Sequence, residues 1–122
     1  MTSRLKPEHR DRLESLRRAY ARDLPARVRA IGEAAASLEQ ANRGQLEALH
    51  QLVHRLTGSA AIYGFTGVSR AASSLEALVS SALAGAAALP PQGGPALADL
   101  LRALESALTA ATESSSEEKG GT

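Results

Sequence analysis

The strongest constraint on the fold is a run of apolar residues that repeats at alternating steps of three and four positions. This spacing places all of them on one face of an α-helix and is typical of the buried seam of a helical bundle. It therefore predicts one long helix that packs against several others. The members of the seam are Leu46, Leu49, Val53, Leu56, Ala60 and Tyr63.

The composition favours an all-α fold. The chain of 122 residues contains 25 Ala and 18 Leu but only 2 Tyr, 1 Phe and no Trp, which suits helices better than sheets. A chain of this length forms one domain rather than two. Because it contains no Cys, a disulfide framework, a thiolate metal site and a cysteine nucleophile are all excluded.

Similar stripes predict four further helices. The first begins at Pro7 and either kinks at Pro25 or gives way there to a second helix. Gly44 is expected to close that second helix, Thr66 to cap the fourth, and a loop over residues 85–94 to precede the fifth. The core stripes of these helices are Leu13, Leu16, Tyr20 and Leu24; Val28, Ile31, Ala35 and Leu38; Val68, Ala72, Leu75, Val79 and Leu83; and Leu97, Leu101, Leu104 and Leu108.

The expected fold class is all-α, an up-and-down antiparallel four-helix bundle with an additional N-terminal helix. Short connections between long helices favour antiparallel neighbours. Residues 1–112 are expected to form this bundle domain. Residues 113–122 contain no apolar side chain, which predicts a disordered polar tail or linker.

Export and membrane insertion are not expected. The first thirty residues carry charges throughout and have no apolar core of a signal peptide. The longest uncharged stretch, residues 77–98, is interrupted by prolines and glycines. The expected localisation is cytoplasmic, without membrane contact.

Residues that can carry chemistry lie along the seam helix. His54 follows the seam residue Val53, so its ring is expected at the edge of the buried stripe, facing outward. Gly58 and Ala61, one and two turns later, leave the backbone beside the ring almost bare. Glycine within a helix costs ~1 kcal/mol relative to alanine, so Gly58 indicates close packing or close approach of another molecule.

The segment from His54 to Gly64 resembles the signature of the histidine phosphotransfer (Hpt) family. In that family a phosphorylatable His is followed at +2 by an aliphatic residue, at +4 by Gly, at +5 by a small residue and at +10 by Gly. Leu56, Gly58, Ser59 and Gly64 match these positions. The resemblance covers roughly residues 24–108.

The resemblance implies a monomeric phosphocarrier without autokinase activity. It would carry a phosphoryl group on Nε2 of His54 to or from the aspartate of a response-regulator receiver domain, in a relay that includes a sensor or hybrid histidine kinase. No cofactor of its own is expected, because the Mg²⁺ would come from the receiver domain. A neutral imidazole suits this role because it is nucleophilic near neutral pH.

The resemblance also implies roles for residues around His54. Glu76, next to Leu75, matches a family Glu or Gln that accepts a hydrogen bond from Nδ1 of the histidine and so fixes its tautomer. Thr57 stands at +3, where the family usually has Lys; its hydroxyl can contact a phosphoryl oxygen, but a positive charge is missing. The expected docking surface for the partner comprises His50, Arg55, Ala61, Ser69 and Ser73.

Other interpretations stay open, among them a helical interaction module without phosphotransfer. His50 and His54 are four positions apart and could bind a divalent metal ion, but no Glu follows His50 and no third ligand is evident, so no metal site is expected. Nine Lys or Arg among the first forty residues suggest a nucleic-acid binder. Six acidic residues share that segment and aromatic platforms are absent, so no nucleic-acid partner is expected.

Overall fold

The fold is an up-and-down bundle of four helices. The computed structural model describes residues 7–40, 42–85 and 89–120, with side chains up to residue 113. Each helix packs against the next, and the last packs against the first. No strand occurs in the described ranges, so the all-α bundle is confirmed. The elements are α1 (Pro7–Ala36), α2 (Arg43–Ile62), α3 (Thr66–Leu83), a 3₁₀ turn (Pro91–Gly93) and α4 (Gly94–Gly120).

The predicted separate N-terminal helix is not found, because Pro25 lies inside one continuous helix of 30 residues. Proline within a helix removes one backbone donor and clashes with the carbonyl four residues earlier, at a cost of about 3 kcal/mol. Tyr20 and Leu24 before it and Val28 after it are all buried in the same core. Their packing on one face holds the helix together across the proline.

The N-terminal part of α1 extends beyond the bundle. All residues from 7 to 19 are exposed, including Leu13 (51%) and Leu16 (46%), which the sequence places in the core stripe. The helix α1 is 30 residues long and α2 only 20, a difference of about 15 Å at 1.5 Å per residue. The predicted apolar face of α1 is therefore present, but it is buried only from Tyr20 onward.

The remaining core stripes are confirmed. Every helix contributes one buried row, and Leu83, Leu101 and Leu108 pack against the core while staying partly exposed. No described helix is long and apolar enough to cross a membrane. The fully or nearly fully buried side chains are Tyr20, Leu24, Val28, Ile31, Ala35, Leu38, Leu49, Val53, Leu56, Ala60, Phe65, Val68, Ala72, Leu75, Val79, Leu97 and Leu104.

In the connection between α2 and α3, Gly64 ends α2 as predicted, whereas the N-cap of α3 differs from the prediction. Gly64 has φ +81°, and the N–H groups of Gly64 and Phe65 donate to the carbonyls of Ala61 and Ala60. This is the Schellman arrangement that a C-terminal glycine permits. Phe65, rather than the predicted Thr66, occupies the N-cap position of α3.

The predicted closing role of Gly44 is wrong. Gly44 lies within the first turn of α2 and has no positive φ. Asn42 is the N-cap instead, and its side chain accepts a hydrogen bond from the N–H of Gln45 at 3.0 Å. The Asn-Arg-Gly segment therefore starts a helix, as an Asn cap favours.

Two predicted segments extend past the described residues. Of the loop over residues 85–94, residues 86–88 lie outside the described ranges, and Gln92 N–H ties its far end to the Leu38 carbonyl at 2.9 Å. The backbone of α4 is helical as far as Gly120, although the composition of residues 113–122 predicts a disordered tail. The boundary of the bundle domain at residue 112 stays a prediction.

The three aromatic side chains of the chain meet where α2 ends. The rings of Tyr20 and Tyr63 stack at 4.6 Å, and Phe65 lies 5.8 Å from Tyr20. The Tyr20 hydroxyl is 2.6 Å from the Ser59 hydroxyl. Arg17 covers the cluster, with its guanidinium 4.3 Å from the Phe65 ring and its Nε–H donating to the Tyr63 carbonyl. This cluster fixes α1 against the C-terminal half of α2.

Replacing Tyr20 with Phe is expected to lower the free energy of unfolding by about 0.5–1.5 kcal/mol, because it removes the hydrogen bond to Ser59 but keeps the ring. Urea denaturation followed by circular dichroism measures the change. Tyr63→Phe is the matched control, since the described residues give the Tyr63 hydroxyl no hydrogen-bond partner. Equal destabilisation by both substitutions would contradict the assignment.

Candidate functional site

The candidate site lies on the outer face that α2 and α3 form together. The two helices are antiparallel, so His54 on α2 stands opposite Glu76 on α3, and His50 stands opposite Ser80. Buried residues next to these positions, Val53 and Leu75, hold the two helices in this register. The face is therefore built on two rigid elements.

His54 and Glu76 form the central contact of the site. Nδ1 of His54 lies 2.6 Å from Oε2 of Glu76. An ionised carboxylate only accepts hydrogen bonds, so this contact requires a proton on Nδ1; in the neutral ring the lone pair is then on Nε2. The His54 side chain is 69% exposed, whereas that of Glu76 is 22% exposed. The arrangement presents a nucleophilic nitrogen to solvent and secures the opposite side of the ring.

Gly58 leaves open space one turn beyond His54. It is exposed, and a Cβ added there would meet no atom of the chain within 4 Å, outside its own helix backbone and neighbours. Internal packing therefore does not require this glycine, although glycine weakens a helix by ~1 kcal/mol. The open surroundings of Gly58 leave room beside the His54 ring.

The hydroxyl of Thr57 is engaged within the fold. It donates to the Val53 carbonyl at 3.0 Å, a bond that has to break before the hydroxyl can donate to a phosphoryl oxygen. Ser69, which the sequence assigns to the docking surface, is half-buried and donates to the Thr57 carbonyl at 2.8 Å. In this structure Ser69 links α3 to α2.

The other predicted docking residues border the same face. Arg55, Ala61 and Ser73 are exposed. His50 is only partly exposed, and its Nε2 lies 3.0 Å from the Ser80 hydroxyl and 3.8 Å from Oε2 of Glu76.

Two residues of this face were not predicted from the sequence. Ser80 continues the row of Ser69, Ser73 and Glu76 at steps of four, three and four, so the spacing alone could have included it. Ile62 is 79% exposed and follows Gly58 by one turn. An exposed residue at the end of the seam helix gives no clear signal in the sequence.

The alternative of a His50/His54 metal site gains no support. In the described part of the chain, no group of three or more His, Cys, Asp or Glu side chains is placed to hold a metal ion. The two rings stack with their centroids 6.0 Å apart, and each has a nitrogen engaged with α3.

Comparison with known families agrees with this geometry. A family model described as Hpt domain matches residues 1–111. The chain belongs to the Hpt domain family. No curated protein and no solved structure gives a match.

Membership explains the general design of the site. Hpt domains are helical bundles that serve in histidine phosphotransfer within phosphorelays, where they interact with receiver domains and histidine kinases. An Hpt domain needs an accessible imidazole on a stable scaffold, and in this chain the α2–α3 face supplies one. The interpretation as an interaction module without phosphotransfer is not supported.

Proposed function

We propose that this Hpt domain carries a phosphoryl group on Nε2 of His54 and exchanges it with the aspartate of a response-regulator receiver domain. A sensor or hybrid histidine kinase belongs to the same relay. The domain acts as a monomeric phosphocarrier without autokinase activity or a cofactor of its own, in the cytoplasm.

The proposal depends mainly on one observation, the 2.6 Å contact between Nδ1 of His54 and Glu76 on an otherwise exposed ring. A histidine that is merely solvated needs no such partner. The contact holds the ring in one orientation, so that Nε2 faces the solvent where a partner approaches.

The chemistry follows from this orientation. The lone pair of Nε2 attacks phosphorus, a P–N bond forms, and the bond from phosphorus to the donor oxygen breaks. The ring becomes more positive as its lone pair is shared, and the Glu76 carboxylate stabilises that charge through the Nδ1 proton. In the onward step an aspartate oxygen attacks phosphorus, the P–N bond breaks, and Nε2 regains its lone pair.

Charge neutralisation at the phosphoryl group is assigned to the partner. Among the described residues, Glu76 is the one carboxylate in contact with His54, and it is engaged with Nδ1. The Mg²⁺ is therefore assigned to the acidic site of the receiver domain. Gly58 then serves as the point of close approach. The surrounding docking surface comprises His50, Arg55, Ala61, Ser69 and Ser73.

The direct test is transfer of labelled phosphoryl groups from a chemically phosphorylated receiver domain and, separately, from phosphoramidate. The label is expected on the wild-type chain in a linkage that acid cleaves and alkali leaves intact, as a P–N bond requires. Reverse incubation with an unphosphorylated receiver domain should remove it. An unlabelled chain, or a label stable to acid, contradicts the proposal.

Replacing Glu76 with Ala is expected to slow transfer from a phosphorylated receiver domain to His54 about ten- to a hundredfold, because a hydrogen bond to a charged group contributes about 1.5–3 kcal/mol. Rapid-quench measurements give the rate. Glu76→Gln should lose less, since an amide oxygen can still accept from Nδ1. Glu47→Ala is the matched control on α2, where Glu47 pairs with Arg43 at 3.2 Å. If Glu76→Ala and Glu47→Ala transfer equally fast, Glu76 has no orienting role.

A further inference from the structure

The site contains a second imidazole to which the proposed function gives no chemical role. His50 lies one turn before His54, with the two rings 12° from parallel and their centroids 6.0 Å apart. Its Nε2 is within hydrogen-bond distance of Ser80 and 3.8 Å from the same Glu76 oxygen that binds His54. The two histidines therefore share one carboxylate.

No Lys or Arg lies three or four positions from His54 on α2, and no Lys or Arg of the described residues forms an ion pair with Glu76. Thr57 stands where the family usually has Lys, and its hydroxyl donates to the backbone. Arg43 donates to the Leu83 carbonyl and pairs with Glu47. It lies eleven positions before His54, about 16 Å away along α2. The His50 ring lies nearly parallel to the His54 ring, with the centroids 6.0 Å apart, so it is well placed to supply a positive charge.

The charged surroundings of His50 are simple. The charged or titratable side chains of α2 and α3 other than the two histidines are Arg43, Glu47, Arg55, Arg70 and Glu76. Arg55 lies about 100° round the helix from His54, and Arg70 lies about 9 Å along α3 from Glu76. Within 4 Å, the described residues of all four helices give His50 one ion-pair partner, Glu76.

We propose that His50 takes up a proton when His54 is phosphorylated and becomes the cation of the site; this inference rests on the proposed function of His54. A phosphoryl group adds a charge of about −1.5 to −2 one helical turn away. Imidazole is the side chain that gains or loses charge most readily near neutral pH. The new negative charge therefore favours the protonated form of His50.

The proton balance is simple. The P–N bond forms on Nε2 of His54 as described above, and the proton that His50 gains comes from solvent. Protonated His50 carries hydrogens on both ring nitrogens, so its Nε2–H can donate to Ser80 or Glu76. By linkage, protonation of His50 must favour the phosphorylated form by the same factor by which phosphorylation favours protonation.

The test is an NMR titration of the three histidines before and after phosphorylation by phosphoramidate, whose P–N bond breaks with loss of ammonia. The midpoint of His50 is expected to move to higher pH on phosphorylation, equivalent to roughly a three- to tenfold gain in proton affinity. His9, exposed in the overhanging part of α1, is the internal control and should not move.

Two variants sharpen the test. His50→Gln keeps a polar group for Ser80 but cannot gain a proton. In the wild-type chain, lowering the pH from 8 to 6.5 should shift the phosphoryl equilibrium with a receiver domain toward phosphorylated His54. In His50→Gln this shift should be smaller. Thr57→Lys adds a permanent cation and should reduce the shift of His50. A chain that takes label on His54 while His50 stays unmoved overturns this inference alone. If no label reaches His54, the proposed function fails and this inference fails with it.

Discussion

Substituting His54 with Gln is expected to reduce phosphoryl label to background from both phosphoramidate and a phosphorylated receiver domain. The amide nitrogen of Gln is not a nucleophile, because its lone pair is delocalised onto the carbonyl. The amide can still donate to Glu76, so the contact between α2 and α3 is partly kept. His54 is largely exposed, and the free energy of unfolding should change by no more than about 0.5 kcal/mol.

The matched controls for this substitution are the other two histidines. His9→Gln and His50→Gln should both accept label on His54, the first at the wild-type rate. Mass spectrometry of the labelled chain under alkaline conditions identifies the modified residue. Label that persists in His54→Gln and disappears in His50→Gln would move the phosphorylation site to His50 and contradict the assignment.

Helical periodicity predicted the central helices of the fold, because each of them packs against the core along one face over its whole length. The seam from Leu49 to Ala60 and the stripe from Val68 to Val79 are buried as expected. Leu46 and Tyr63, at the two ends of the seam, are only partly buried and pack against the core. Apolar residues spaced three and four positions apart lie on one face of a helix, whichever helix packs against that face. The pairing of His54 with Glu76 was accessible only through the family resemblance, since 22 positions separate the two residues.

The errors in the fold arose where a local signal has two meanings. Pro25 can start a helix or lie within one, and burial on both sides of it decides for the second. Asn42 and Gly44 can end a helix or begin the next, and the hydrogen bond to Gln45 decides for the beginning. The exposure of Leu13 depends on the relative lengths of the helices, which periodicity does not encode.

The finer features of the site depend on interhelical register. The offset between α2 and α3 determines two contacts: Ser69 donates to the Thr57 carbonyl, and His50 faces Ser80. A shift of one helical turn would change both contacts without altering either stripe. The sequence thus predicts which residues share a face, whereas the structure shows which polar groups are already engaged.

Replacing Gly58 with Leu is expected to lower transfer from a phosphorylated receiver domain on the order of a hundredfold, because displacing the reacting groups by about 1 Å can have an effect of that size. Labelling by phosphoramidate should change little, since a small donor reaches Nε2 without covering Gly58. The difference between the two donors separates loss of docking from loss of nucleophilicity. Rates measured with both donors on the same protein preparation make the comparison.

Stability provides the second half of the test. Gly58→Ala and the control Gly32→Ala both place a methyl group where no atom lies within 4 Å, apart from the chain neighbours and the backbone of the same helix. Each should therefore raise the free energy of unfolding by up to ~1 kcal/mol. Only the substitution at Gly58 should slow transfer from the receiver domain. A gain in stability on substitution would show that folding does not require Gly58. Slower transfer in Gly58→Ala, together with unchanged transfer in Gly32→Ala, would then show that the turn beside His54 serves the partner. Unchanged transfer in Gly58→Leu would show that no partner approaches there.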